Sequence, residues 1–323
     1  MNWKGWVLIL IAAMFLLSGA FSPDGTGKFS IFAGSGKEHG LRDKPVWHTE
    51  QIAVEVPAFL NASTFGGSIT VNSHDLNEIL VRIHVKRRGS YLEAGQDAPV
   101  QISVTEVPNG LEISAEPERS GLFGAGSSVS VSYDILVPFA TEVRAKTSGG
   151  SVSAFDIAHN VSLITSGGPV TVERVDGDVL ARTAGGPINA RNITGDLTAR
   201  TSGGGIRISN AVGKISARTS GGPIRLDRVT GAIDAHTSGG PIDVHVLYLE
   251  DHLTLNTSGG SIKAIVPRDL GMDIRASGSS VRNRLDDLTG DISSRSIHGS
   301  VHGGGIPVEL RTTGGSVQIE YGD

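Results

Sequence analysis

The tetrapeptide Thr-Ser-Gly-Gly stands at 147–150, 165–168, 201–204, 219–222, 237–240 and 257–260, with Thr-Ala-Gly-Gly at 183–186. A serine followed by two glycines suits a nucleophile on a sharp turn, a glycine-rich cradle for phosphate, or a bend made again and again. The spacing decides between them. The motif Thr falls at Thr147, Thr165, Thr183, Thr201, Thr219 and Thr237, one every eighteen residues. A catalytic serine serves one site and does not recur at a fixed interval, whereas a corner of a stacked repeat does. The glycines are expected to supply the positive φ of a tight corner. The hydroxyls before them are expected to form columns that bond between coils.

The residue before each motif Thr is Lys146, Ile164, Arg182, Arg200, Arg218 and His236. In a stack these side chains point outward, one above another. Repulsion between neighbouring arginines about 5 Å apart in water costs only about 0.8 kcal/mol. The column is therefore tolerable as plain solvated surface. It also suits a row of carboxylates, sulfates or phosphates, because guanidinium forks match them. Lys146, Arg182, Arg200, Arg218 and His236 are the candidate ligand-binding residues.

Other chemistry is thinner. Asp178, Asp196 and Asp291 follow turn glycines, but Lys214 and Ala232 interrupt that row. The stretch Asp286-Asp287-Leu288-Thr289-Gly290-Asp291, with Arg282 and Arg284 nearby, is the best place for a glycan-cleaving carboxylate pair. His298 and His302 are four apart in a glycine-rich turn region, not on a helix, so the spacing does not put them on one face. There is no Cys, which excludes disulfides, thiolate metal sites and a cysteine nucleophile. Gly-Gly-Pro-Ile lacks the acid of calcium-binding nonapeptide repeats. No cofactor and no metal are expected. Phe32–Gly40, "FAGSGKEHG", lacks the early Gly of a phosphate loop and has Glu38 where Ser or Thr must follow the Lys, so it reads as linker.

The elements that would position these residues are short strands. Of 323 residues 44 are Gly and only 5% are aromatic, which suits a narrow fold with many turns. A net charge of −5 gives no general attraction to nucleic acid. One coil, Gly186–Gly204, places apolar or small residues at Ile188, Ala190, Ile193, Leu197, Ala199 and Thr201, with Asn189, Arg191, Thr198 and Arg200 between them. This period of two, broken at Ile-Thr-Gly and Ser-Gly-Gly, predicts two strands and two bends per coil. Stacking aligns Ile188 with Ile206, Ile224 and Ile242, and Leu197 with Ile215 and Ile233. About nine coils at roughly 4.8 Å give a rod of about 45 Å. A hexapeptide helix is excluded, since six-residue steps from Ile224 reach Thr230 and His236.

The chain divides into four parts. Residues 1–21 have Lys4, an apolar run Trp6–Leu17 and Ser18-Gly19-Ala20, fitting a signal peptide cut after Ala20 or an uncleaved membrane anchor. Residues 22–45 read as a flexible linker. Residues 46–140 alternate apolar and polar, with Asn109-Gly110 as a hairpin turn, and predict an antiparallel β region capping the solenoid. Thr64-Phe65-Gly66-Gly67-Ser68-Ile69 previews the repeat there. Residues 141–323 are the solenoid. After Thr257 the repeat is expected to loosen through Ala276, Ser296 and Thr312. "VQIEYGD" (317–323) has no evident cap, so edge-to-edge self-association is expected.

The Thr-Ser-Gly-Gly-x-Ile coils, the alternating region with "DILVP" (134–138) and the export signal together resemble the bacterial putative-adhesin β-solenoid family. That family is a domain of unknown function related to the head GIN domains of autotransporter adhesins. The resemblance covers about 52–321. It implies an exported β-solenoid with surface association and supplies no catalytic residue. The reading is thus an all-β, single-stranded β-solenoid of ~18-residue coils. It would be a non-catalytic exported scaffold, periplasmic, at the cell surface or extracellular, touching a membrane only through an uncleaved N-terminal segment. Its partner would be an anionic envelope polysaccharide or another envelope protein. The alternatives are a polysaccharide lyase or hydrolase and an envelope-stress or assembly component acting through a protein partner.

Overall fold

The computed structural model describes residues 41, 43–117 and 129–322. The export signal or anchor at 1–21, most of the expected linker and the loop at 32–40 lie outside the described residues. Among the described residues there is no helix, and none that is long and apolar enough to cross a membrane.

The chain begins with β1 (His48–Ala53), β2 (Ala58–Thr64), β3 (Ile69–His74), β4 (Glu78–Arg87) and β5 (Ser90–Tyr91). The hairpin β6 (Val100–Val107) and β7 (Gly110–Pro117) and the strand β8 (Val129–Pro138) follow. The repeats supply β9 (Thr141–Thr147), β10 (Val152–Ile157), β11 (Val161–Thr165), β12 (Val170–Asp176), β13 (Val179–Arg182) and β14 (Ile188–Thr194). They continue as β15 (Leu197–Arg200), β16 (Ile206–Val212), β17 (Ile215–Arg218), β18 (Ile224–Thr237), β19 (Ile242–Thr257) and β20 (Ile262–Val266). Last come β21 (Met272–Ser277), β22 (Ser280–Arg284), β23 (Thr289–Ile292), β24 (Ser296–Val301), β25 (Ile306–Thr312) and β26 (Ser316–Tyr321).

Two parallel ladders run along the molecule. One passes through β3, β10, β12, β14, β16, β18, β19, β20 and β26. The other passes through β2, β9, β11, β13, β15, β17, the second half of β18, the second half of β19 and β25. The register is the expected one: Ile188 faces Ile206, Ile206 faces Ile224, and Leu197 faces Ile215. Ile188, Ala190, Ile193, Leu197 and Ala199 are all buried between the ladders. Each aliphatic removed from water contributes about 1.5–3 kcal/mol, which lets a narrow core suffice.

The corners differ from expectation in an instructive way. The Gly pair of the motif does not take positive φ. Left-handed backbone lies at the other corner, at Asn192 (φ 56°) and Gly195 (φ 136°), and in the coils around it at Arg174, Asn210, Gly177 and Gly213. The second motif Gly is required for another reason: a Cβ on Gly186 would stand 2.1 Å from the Gly168 carbonyl oxygen of the coil before. Only the threonines make the inter-coil hydroxyl column. Thr201 Oγ1 donates to the Gly186 carbonyl at 2.9 Å, whereas Ser202 is exposed.

Residues 46–140 are not simply an antiparallel cap. β1–β4, β4–β8 and β6–β7 are antiparallel. β2 and β3, however, pair parallel with β9 and β10 and form a coil of the solenoid. The Phe65-Gly66-Gly67 corner causes this: Thr147 Oγ1 donates to the Gly67 carbonyl at 2.7 Å, the same bond as in later coils. β7 and β8 then extend the two ladders in parallel beyond β2 and β3. The chain just before β1 is pinned here, with Leu41 N–H donating to buried Asp134 at 2.6 Å and His84 Nδ1 2.9 Å from the Pro45 carbonyl.

The far end also departs from simple repetition. Ala276 and Ser296 are not successive coil corners; they sit on β21 and β24, which pair antiparallel. Thr312 stacks directly on Thr257. β26 is not an open edge, because it pairs with β20 on one side and β22 on the other.

Candidate functional site

Parallel stacking in register turns a residue every eighteen into a column. Lys146 faces Ile164, Ile164 faces Arg182, Arg182 faces Arg200, Arg200 faces Arg218, and Arg218 faces His236. Lys146, Arg182, Arg200, Arg218 and His236 are all exposed. They point outward because Ala181, Ala199 and Ala217, their strand neighbours, point into the core. The structure thus brings the five predicted residues into one line, with Ile164 separating Lys146 from the arginines. Asn256 and Arg311 continue the line beyond His236, and sequence reasoning had not carried it that far.

The arginines of this column face no acid. Among the described residues no hydrogen bond or ion pair engages the guanidinium groups of Arg182, Arg200 and Arg218, whose register partners are one another, Ile164 and His236. The other face is different. Arg225 lies 3.5 Å from Asp243, His245 lies 3.3 Å from Asp227, and Arg174 pairs with Asp156 at 2.5 Å. At these three places the eighteen-residue step joins opposite charges, although Arg207 faces Arg225 on the same side; on the arginine column it joins like charges. The outward residues flanking Arg200 and Arg218 are Thr198, Ser202, Ser216 and Ser220, which offer hydroxyls beside those forks, whereas Leu180 and Ala184 flank Arg182.

The acidic candidates have structural roles. Asp178 Oδ1 accepts the Asp196 N–H at 2.9 Å, and Asp196 Oδ1 accepts the Lys214 N–H at 3.0 Å, continuing a row begun by Asn160 and Asp178. These side chains tie each corner to the next, so they form a ladder rather than an acid–base pair. Asp178, Asp196, Glu142 and Arg144 help line an open groove of about 370 Å³, in which Arg144 is neutralised by Glu142 at 2.7 Å. Asp291 is elsewhere, on β23 opposite His298.

In the 286–291 stretch Asp286 and Asp287 already have partners. Asp286 lies 3.3 Å from Arg268, and Asp287 accepts the Tyr321 hydroxyl and sits 3.1 Å from His302 Nε2. The Tyr321 hydrogen bond holds the Asp287 carboxyl below its ordinary value. That favours a permanent carboxylate and disfavours a general acid. Burial, reinforced by Asp287, pushes the Tyr321 phenol up. The cluster therefore resembles a latch on β26.

A histidine site that sequence reasoning missed is His252, 2.9 Å from Asp251 through Nδ1 and 3.3 Å from Asp234 through Nε2. Burial opposes its charge, but the hydrogen bonds to the two aspartates outweigh that and raise its pKa. The signal was the enlarged coil between Thr237 and Thr257, which places an extra His beside Asp234. Among the described residues no group of three His, Cys, Asp or Glu side chains could hold a metal ion.

The family model described as Toastrack DUF4097 matches residues 60–320, from β2 into β26. The chain belongs to the Toastrack family. That family, a domain of unknown function, brings no activity with it. A solved structure of a "putative cell adhesion protein" from Clostridium sporogenes ATCC 15579 is 10% identical, with 85% of this chain and 99% of that chain covered and a TM-score of 0.21. Similarity at that TM-score supports no statement about fold or function. Comparison with curated proteins returned no match.

Proposed function

We propose that this Toastrack chain is a non-catalytic, exported envelope scaffold that binds anionic polysaccharide along its arginine column. The observation that carries the reading is the unbroken run Arg182, Arg200 and Arg218, in register, exposed and without an acidic partner among the described residues. In this reading the N-terminal apolar segment delivers the chain out of the cytoplasm as a cleaved signal or a retained anchor. Kinship with the head GIN domains of autotransporter adhesins belongs to the same proposal, on the strength of the Thr-Ser-Gly-Gly coils.

The mechanism is repetition. One exposed ion pair contributes only about 0–1 kcal/mol. Three forks fixed on one rigid ladder engage a polymer together, so each contact after the first is intramolecular and avidity rises without a deep pocket. Lys146 and His236 extend the strip at its ends. Rigidity also reduces the ordering cost on binding.

The test is binding of the full chain to isolated cell envelopes, polygalacturonate and neutral dextran at low and high salt. A variant with Arg182, Arg200 and Arg218 all changed to Ser runs beside it. Salt-sensitive binding to polygalacturonate, absent with dextran and lost in the variant, is expected. Equal binding by both proteins returns the arginines to solvated surface.

A further inference from the structure

From β11 to β20 every coil stacks on the coil that precedes it in sequence, and the next layer breaks the rule. Val308 of β25 lies between Leu253 of β19 and Ile274 of β21, and Val317 of β26 lies between Ile262 of β20 and Val281 of β22. The chain therefore builds the outer layer, β21 and β22, before it returns to fill the layer beneath. β25 and β26 occupy a slot whose two walls are already made. Val308, Leu310, Val317 and Ile319 are buried in it.

The slot is specific for this sequence. Thr312 Oγ1 donates to the Gly260 carbonyl at 2.7 Å, and a Cβ on Gly315 would stand 2.0 Å from the same oxygen. Glu320 is 2.8 Å from Lys263 on one wall and 3.3 Å from Arg284 on the other. An occupant needs Thr, Gly and Glu at these offsets, which β25–β26 provides.

One hinge connects the occupant to the walls. His302, Gly303, Gly304 and Gly305 have φ of 49°, 82°, 79° and 140°, four consecutive residues in the left-handed half of φ space. Asp273 holds this bend, with Oδ1 accepting from Ser300 Oγ at 2.7 Å and Oδ2 from the Gly305 N–H at 3.2 Å. Opening the hinge frees His302 from a conformation that costs an L-residue free energy. Every contact of β25–β26 with its slot is non-covalent and is restored in full when the same strands arrive from another molecule. Short hinges under strain favour such exchange.

We propose that β25–β26 exchanges between two copies of this chain, each filling the other's slot, so that two rods are joined at these ends. This does not rest on polyanion binding, and it doubles the number of arginine columns in one particle.

The test uses the full chain in mild detergent. Gly303→Ala adds a side chain where φ is 82° and no atom lies within 4 Å, so it penalises only the bent hinge. Gly304→Ala adds the same penalty and a Cβ 2.5 Å from Asp273 Oδ1. Analytical ultracentrifugation is expected to show dimerisation strengthened about tenfold by the first and more by the second. Lys263→Cys with Gln318→Cys places two thiols on register partners of β20 and β26 in a chain with no Cys of its own. Oxidation is expected to join two chains covalently in the dimer fraction and only when both substitutions are present. Folded but monomeric hinge variants, or dimers whose chains are not linked through these positions, overturn the proposal.

Discussion

Thr201 Oγ1 donates a 2.9 Å hydrogen bond to the Gly186 carbonyl of the coil before it and accepts the Gly204 N–H of its own corner at 3.3 Å. One hydroxyl thus closes a corner and joins two layers. Thr165 with Gly150, Thr219 with Gly204 and Thr257 with Gly240 repeat the arrangement. Thr201→Val keeps the shape and removes both bonds in a buried place. It should destabilise the chain by about 1–3 kcal/mol, and Thr201→Ser by clearly less. Urea unfolding followed by circular dichroism measures both; equal stability of the Val variant and the parent would remove the hydroxyl from the account.

The two glycines of a corner should respond unequally. Gly186→Ala drives a Cβ to 2.1 Å from the Gly168 carbonyl oxygen, while at Gly185 the nearest atom is 3.4 Å away. Backbone on both sides leaves nothing to swing aside. Gly186→Ala should cost about 3 kcal/mol or more, and Gly185→Ala below about 1 kcal/mol. A comparison of denaturation midpoints decides, and similar losses at both positions would contradict the close-approach explanation.

The arginine column should depend on fork geometry as well as charge. Replacing Arg182, Arg200 and Arg218 together by Lys keeps three positive charges but loses bidentate pairing with carboxylates. Affinity for polygalacturonate should fall several-fold while salt sensitivity survives. Isothermal titration at two ionic strengths reads both quantities. Undiminished affinity in the Lys variant would assign binding to charge alone.

His252 should titrate above its ordinary value of 6.5, because Asp234 and Asp251 stabilise the imidazolium. A raised folded pKa means that the associated stability is fully present below the unfolded pKa and is lost as pH rises through the folded value. Asp234→Asn should bring the His252 titration down and flatten that loss. An NMR titration of the His252 ring checks it, and a midpoint at or below 6.5 in the parent chain would sink the prediction.

The acidic end should respond in the opposite sense. Asp287 is held low by the Tyr321 hydroxyl and Asp273 by Ser300 and Gly305, both against an ordinary 3.8. Depressed carboxyls contribute stability above the unfolded pKa and lose it as pH falls through the folded one. Amide exchange on β25 and β26 should therefore quicken below pH 3.8 before it does on β14 and β16. Uniform loss along the rod would count against a local latch.

The eighteen-residue period and the alternation of Ile188, Ala190, Leu197 and Ala199 with Asn189, Arg191, Thr198 and Arg200 were enough to place two strands in each coil and to decide which side chains meet the core. Parallel stacking then follows, since a single coil cannot bury its own apolar side. The candidate column was legible for the same reason: a strict period makes sequence distance equal to height on the rod. The same step already aligns Arg225 with Asp243, so the mixed charge of the other face was also within reach. What tertiary structure alone decided involves contacts that the period does not encode. Gly186 is needed because the Gly168 carbonyl comes close, not because of its own φ. Asp178 and Asp196 are corner ties because their carboxylates reach amides of the next layer. β2 and β3 belong to the solenoid although β4 to β8 intervene, and β25–β26 lies beneath strands made before it. In both cases neighbours in space are chosen by which layers leave an open parallel edge, and chain order does not record that.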